Sequence, residues 1–524
     1  MNKYISTLTL LAIAIFSFSQ NSAPEVEIQN VSIDQVAQTV SITYDLTDID
    51  DDSCSVWLKA SNNGGEFYEV IDNSNISGDI GEDLLPGNSK NITWEYASYT
   101  STIFDIDISV NASDNYDFDI QNFVDQVDST EIKDNLSFIE GIRHYSANPT
   151  KLNTVRDSID DIFVRNGLET ERQEFTFSGN SGFNILGKKT GLKDEAITFI
   201  IDGHYDGVSN SPAADDNGSA VSGMLEILRV LSQYDFEHTI RFIGFDFEEA
   251  GLIGSQRYVT NGIESYEDIQ GVLNFEMIGY YSEDTNSQTL PAGFDLLFPQ
   301  AVQDIEADSS RGNFLVVCGN ANSNSLISDF VNYSNIYVPD LRVISLEVPG
   351  NGEIAPDLRR SDHTPFWESG RKALMLTDGA DTRNFNYHTP ADTMGTLNFD
   401  FMTKNVKATL ATLAELAVPI SAVTDSYNLG LLSIHEHNHD TKVKVSLYPN
   451  PSDGQFTLSY DVPENCKFRI EIYDLNGKLL SKKIVEAQKG SSEEALNFKS
   501  ISSGEYIVNI ISTDFTETKR MIIE

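Results

Sequence analysis

His204 stands in Asp202-Gly203-His204-Tyr205-Asp206, directly after the apolar run 197–201, so an imidazole sits just past the carboxyl end of a buried strand. Open α/β sheets build their sites there. Neutral imidazole ligates metals, and Asp206 is placed to accept the other ring N–H and fix the tautomer. Downstream, Asp215 and Asp216 precede Asn217-Gly218-Ser219 and the helical pattern Met224, Leu225, Leu228, Leu231. One such carboxylate is an ordinary helix cap; a second, beside a candidate ligand, begins a site. Glu248 and Glu249 follow the apolar strand 239–245, and adjacent residues project differently, so one can face a metal while the other faces substrate. Glu276 is embedded in Asn274-Phe275-Glu276-Met277-Ile278, where an unpaired charge is costly and a metal would be a partner. His363, in Arg360-Ser361-Asp362-His363, and His388, in Asn386-Tyr387-His388-Thr389-Pro390-Ala391-Asp392, complete the set. Histidines and carboxylates at the ends of successive strands can hold two divalent ions that share a carboxylate and a water. Cys54, Cys318 and Cys466 offer no zinc-ribbon spacing, so any metal rests on His and carboxylates.

Positioning these groups requires a sheet covered on both faces. The runs 197–201, 239–245, 271–275 and 373–377 are nearly continuously apolar and alternate with helical segments near 124–142 and 152–166. That grammar predicts an α/β domain with a doubly wound, mostly parallel sheet over residues 118–424. Residues 20–114 read differently, as short alternating stretches such as Thr39-Val40-Ser41-Ile42-Thr43-Tyr44, which predict an all-β sandwich. The acidic run 48–52 lacks the Gly turn and terminal Glu of an EF-hand and reads as a solvated loop. A linker is expected over 425–441; its His435-Glu436-His437-Asn438-His439 could capture metal, but an exposed linker is the simpler role. Residues 442–524 read as a small β-sandwich with Asn-Gly turns. The span 441–524 is near neutral, with 11 Lys/Arg against 12 Asp/Glu, so the chain's charge of −45 is carried almost wholly by what precedes it.

That charge disfavours nucleic acid and anionic membranes as partners. The apolar run 5–16 followed by Ser17-Phe18-Ser19 reads as a signal peptide over 1–19, too short to span a bilayer, and no later segment is long enough to be a transmembrane helix.

Taken together, the motifs of residues 118–424 resemble the di-zinc exopeptidase family that includes secreted bacterial leucine-type aminopeptidases. The resemblance rests on His204-Tyr205-Asp206, Asp215-Asp216-Asn217-Gly218-Ser219, Glu248-Glu249-Ala250-Gly251, Asn274-Phe275-Glu276-Met277, Ser361-Asp362-His363 and Tyr387-His388-Thr389-Pro390, in that order. It implies two Zn2+ ions, with His204 and Glu276 completing one site, Glu249 and His388 the other, and Asp216 bridging them. It further implies Glu248 as general base, Asp206 behind His204, and Arg360 and Tyr387 near substrate and oxyanion. The implied reaction removes N-terminal residues from peptides through a hydroxide bridging the metals. One departure stands out: many relatives carry Asp where Glu276 stands. Residues 442–524, with Leu447-Tyr448-Pro449-Asn450-Pro451 and Ser503-Gly504-Glu505-Tyr506, resemble a type IX secretion sorting domain, which implies that machinery as a partner and a location outside the cell or on its surface. Dipeptidase, carboxypeptidase or glutaminyl cyclase chemistry on the same fold stays open, as does an inactive surface binding protein.

Overall fold

Alternating burial along single strands shows how the central domain is layered. Phe199 and Ile201 join one apolar cluster and Ile200 the other; Phe242 and Ile243 divide in the same way. The computed structural model describes residues 22–62, 67–100, 103, 106–114, 116–429, 444–452, 454–462, 466–473, 479–497, 504–512 and 516–523. The expected signal peptide and the histidine cluster at 435–439 lie outside the described residues.

Eight strands form the central sheet: β1 (Glu169–Phe177), β2 (Asn180–Lys189), β3 (Asp194–His204), β4 (His238–Phe245), β5 (Asp268–Phe275), β6 (Leu315–Asn320), β7 (Val343–Val348) and β8 (Ala373–Thr377). Their order is β7-β6-β8-β5-β3-β4-β2-β1. The middle, β8-β5-β3-β4, is parallel, and β6 and β2 join it antiparallel on either flank. Registers place His204 opposite Phe245, Asp202 opposite Asn274, and Phe275 opposite Leu376, so the carboxyl ends of the four parallel strands finish on one rim.

The covering helices are specified locally. Asn148 caps the Pro149–Arg165 helix, and that helix turns Leu152, Val155, Ile159 and Phe163 inward at helical spacing. Asn398 caps Phe399–Ala417 in the same way. The Ala220–Leu231 helix is buried nearly all round, as expected for one enclosed by sheet and neighbouring helices.

The N-terminal module is a two-sheet β structure. One sheet orders Glu25–Asp34, Thr39–Thr47, Gly87–Glu95 and Ile76–Gly78; the other contains Cys54–Ser61 and Asp107–Asp114. Here the expected linker is corrected at its start. Ala422–Asn428 is a strand beside Asp107–Asp114 in that second sheet, anchored by the Asp425 carboxylate on the Ile28 N–H at 2.7 Å and by Thr424 Oγ1 on Asn111 at 2.7 Å. Short, polar and half exposed, an edge strand of this kind carries no apolar run that would distinguish it from linker sequence. The C-terminal residues form a three-stranded and a four-stranded antiparallel sheet around Leu458, Ile470, Val508 and Met521.

Candidate metal centre

Asp216 lies between two imidazoles. Its Oδ1 is 3.4 Å from His204 Nε2 and its Oδ2 is 2.9 Å from His388 Nε2. Glu276 Oε2 lies 3.6 Å from His204 Nε2, and Glu249 Oε2 3.1 Å from His388 Nε2. The potential ligand atoms of His204, Asp216 and Glu276 fall within 4.8 Å of one another, and so do those of Asp216, Glu249 and His388. The result is two three-residue donor sets with Asp216 in common. Glu248, buried, places Oε2 3.8 Å from His204 Nε2.

The donors fit a divalent cation better than they fit each other. Both ring nitrogens of His204, Glu249 Oε1 and His388 Nε2 are buried without a well-formed hydrogen bond among the described residues. Buried polar atoms are normally paired, and imidazole nitrogen with carboxylate oxygen is the donor chemistry of zinc. His204, Asp216, Glu249, Glu276 and His388 are therefore suited to hold two zinc ions.

A polar scaffold fixes these side chains. Asp206 lies 3.3 Å from His204 Nδ1 and accepts the N–H groups of Glu248 and Glu249 at 3.1 and 3.3 Å. Ser361 Oγ donates to Glu276 Oε2 at 2.7 Å. Asn217 donates to the Phe275 carbonyl and accepts from the Met277 N–H, gripping the strand end on both sides of Glu276. Asp392 accepts the N–H groups of Asp215 and Asp216 at 2.9 and 3.2 Å. Arg143, fully buried, donates to the carbonyls of Ile139, Gly141, Tyr205, Pro212 and Ala213, which ties the segment after His204 to the segment before Asp216.

The electrostatics report the same crowding. Burial opposes protonation of both histidines, yet the surrounding carboxylates overcome it: His204 is raised well above its ordinary range by Glu248, Asp206, Asp216 and Glu276, and His388 is raised to about 10 by Asp216 and Glu249. Burial, with the charges of Glu276, Asp362 and Glu249, pushes Glu248 well above the usual carboxylate range. Burial and Asp216 bring Glu249 to about 7. Asp216 is held low despite burial, by its contacts with the two histidines.

Arg360 and Tyr387 flank the cluster. Arg360 Nη2 donates to the Tyr387 hydroxyl at 3.0 Å while Nη1 bonds Asp381 at 2.9 Å, and the Tyr387 ring stacks on His388 at 3.7 Å. Burial, reinforced by Asp216 and Glu276, raises the Tyr387 phenol, so it keeps its proton at neutral pH. Glu276, Arg360 and Tyr387 open onto a cavity of about 300 Å³ whose far walls are apolar, including Leu290, Phe294, Phe314 and Ile344.

Other sequence candidates fall elsewhere. His363 is buried against Trp367 and bonded to the Leu358 carbonyl at 3.0 Å, and it belongs to neither donor set. In the run 48–52, Asp48 Oδ1 accepts the N–H groups of Asp50 and Asp52, a local turn. Arg143 and the role of Asp392 escaped sequence reasoning, since each acts on backbone atoms distant in sequence.

Residues 184–413 match the family described as Peptidase family M28, and residues 446–524 match the Secretion system C-terminal sorting domain. The uncharacterized protein YfbL of Escherichia coli is 29% identical over 277 residues, covering 51% of this chain and 81% of that protein. Aminopeptidase YwaD of Bacillus subtilis is 39% identical over 118 residues, covering 21% of this chain and 26% of the relative. The chain spans about half the length of two probable zinc metalloproteases from Pyrenophora species. Among solved structures, the Legionella pneumophila LapA aminopeptidase is similar with a TM-score of 0.44 and 21% identity, covering 58% of this chain and 77% of that one.

Proposed function

With residues 184–413 belonging to peptidase family M28 and residues 446–524 forming a secretion-system sorting domain, we propose that the chain is a secreted zinc aminopeptidase that hydrolyses the first peptide bond of substrates with a free α-amine. The sorting domain directs it through type IX secretion to the cell surface or beyond, and among the described residues no helix is long and apolar enough to cross a membrane. The observation that carries the reading is Asp216 shared between two complete His-carboxylate donor sets, with Glu248 buried beside them.

When bound, two zinc ions would supply Lewis acidity and lower the pKa of a shared water. Asp216 would hold the pair together, with His204 and Glu276 on one side and Glu249 and His388 on the other. Glu248 takes the proton of the attacking water as its oxygen bonds the carbonyl carbon. It then delivers that proton to the amide nitrogen as the C–N bond breaks, leaving a free amino acid and a shortened peptide. A carboxyl pushed upward by burial and neighbouring charge suits a group that must carry a proton between two steps. Tyr387, protonated and hydrogen-bonded by Arg360, would donate to the developing oxyanion. The cavity beside Glu276 and Tyr387 would take the side chain of the first residue, and its apolar walls favour aliphatic or aromatic ones.

Hydrolysis of leucine p-nitroanilide against its N-acetylated counterpart, with zinc and then after chelation, tests the reading. Zinc-dependent cleavage of the free-amine substrate alone is expected. Cleavage of neither would overturn it and turn attention to dipeptides, carboxypeptidase substrates and N-terminal glutaminyl peptides.

A further inference from the structure

The two flanks of the metal centre differ. On the side of β6, β7 and β8 lies the apolar cavity, with Phe314, Val316, Ile344, Leu346 and Met375 in its walls. On the opposite side, toward β4, β2 and β1, the chain immediately before Glu248 builds an aromatic stack. Phe247 is buried with φ of +58°, a backbone region that bulky side chains rarely enter, and its ring is fixed from several directions. Phe175 and Phe177, at the end of β1, meet it edge-on at 5.9 and 6.2 Å. Tyr145 lies flat on it, with centroids 4.9 Å apart and planes 19° apart. Gly182 on β2 makes room, since a Cβ there would stand 2.6 Å from the Phe175 ring and 2.9 Å from that of Phe247.

Tyr145 is the outer member of this stack and stays 37% exposed, unlike the enclosed Phe247 beneath it. It is also tied to the site. Arg143, two residues earlier, donates to the Tyr205 carbonyl, and its own carbonyl accepts the Gly207 N–H at 2.8 Å, so the 143–145 segment runs along the loop that follows His204. Between them, His144 accepts the N–H groups of Ser146 and Ala147 at Nδ1, which leaves Nε2 carrying the proton, and its ring lies 4.3 Å from that of Tyr145.

Building on the aminopeptidase reading, we infer that Tyr145, backed by Phe247, is the subsite for the second residue of the substrate and selects peptides whose second side chain is apolar or aromatic. A peptide whose first side chain enters the cavity has its scissile bond over the metal centre. Its continuation must leave across Glu248, the residue that protonates the departing nitrogen. On that flank, on the segment that runs along the loop after His204, Tyr145 presents an exposed aromatic face. An offset or edge-on contact with an aromatic second residue would extend a stack already ordered in the free protein, so little side-chain freedom is lost on binding.

The test compares kcat/KM for Leu-Phe-Gly and Leu-Gly-Gly in the wild type, Tyr145→Ser and Tyr145→Phe, with zinc content and thermal denaturation measured on each. The wild type is expected to prefer Leu-Phe-Gly by about 5–10-fold, the size of effect a single aromatic contact gives. Tyr145→Ser should bring that ratio close to one, and Tyr145→Phe should keep it. Should Tyr145→Ser fold poorly, the wild-type ratio and its retention in Tyr145→Phe still decide. A wild-type ratio near one, or a ratio that survives Tyr145→Ser, would overturn the subsite while leaving the aminopeptidase reading standing. Cleavage of neither peptide by the zinc-loaded wild type would instead sink that reading, and this inference with it.

Discussion

Asp206 reaches Glu248 through the backbone: its Oδ1 accepts the Glu248 N–H at 3.1 Å and lies 3.3 Å from His204 Nδ1. One carboxylate thus sets both the orientation of a metal donor and the position of the proposed base. Asp206→Asn keeps the shape but removes the charge, and the amide NH2 that replaces Oδ2 cannot accept the Glu249 N–H. A fall of about 10–100-fold in zinc affinity is expected, the usual effect of losing the partner behind a ligand, with turnover reduced even at saturating zinc. Competition against a chromophoric chelator measures the first and steady-state kinetics the second; wild-type values for both would remove Asp206 from the site.

Glu248 is in neither donor set, which separates its role from that of its neighbour Glu249. Glu248→Gln should therefore retain zinc while lowering kcat by at least about 10²–10⁴-fold, the range for a lost general acid–base group. Metal analysis alongside the leucine p-nitroanilide assay checks this. A variant that loses zinc would make Glu248 a ligand instead, and one that keeps near-normal turnover would make it neither.

Shared and unshared donors should differ in stoichiometry. Glu276→Ala removes a donor from one set and should drop bound zinc from about two per chain to about one, whereas Asp216→Ala touches both sets and should approach zero. Elemental analysis after dialysis distinguishes them. Equal losses in the two variants would contradict a bridging Asp216.

Much of the site was legible because its chemistry coincides with punctuation. His204, Glu248, Glu249 and Glu276 each stand where an apolar strand run gives way to a charged residue, and parallel strands place such ends on one rim. Glu276 was conspicuous as a charge in apolar surroundings. What sequence could not show is the scaffold acting through the main chain. Arg143 meets carbonyls from three separate stretches of chain, and Tyr145 meets Phe247 across about a hundred residues, so neither leaves a local pattern. The strand Ala422–Asn428 was missed for a related reason, since its pairing partner lies in the N-terminal module, remote in sequence.

Arg143 offers a test of that scaffold. Arg143→Met fills similar volume but removes the side-chain donor from the buried carbonyls of Tyr205 and Ile139, while Pro212 and Ala213 keep the N–H groups of Gly141 and Gly218. Each unsatisfied buried acceptor costs about 1–3 kcal/mol, so with two of them a loss of at least about 2 kcal/mol is expected in urea denaturation. A midpoint within error of wild type would mean that water replaces the guanidinium.

The last prediction concerns pH and His363, which lies outside the donor sets. Burial, opposed only in part by its bond to the Leu358 carbonyl, holds this imidazole down at about 4. Unfolded, it would take a proton below about pH 6.5. Between those values the unfolded chain binds more protons than the folded one, so the contribution is whole above pH 6.5 and drains away as pH falls toward 4. The amount at stake is about 3 kcal/mol, from a displacement of this size. His363→Gln cannot titrate, and protonation at His204 and His388 is common to both proteins and cancels in the difference. Urea midpoints of the metal-free wild type and variant, taken from pH 7 to 4.5, should therefore converge on acidification, as the wild type falls the more steeply. Parallel curves would show that the imidazole is already charged in the folded protein, which its two neighbouring oxygens, Leu358 O at 3.0 Å and Asn274 Oδ1 at 3.3 Å, would then be holding as a cation.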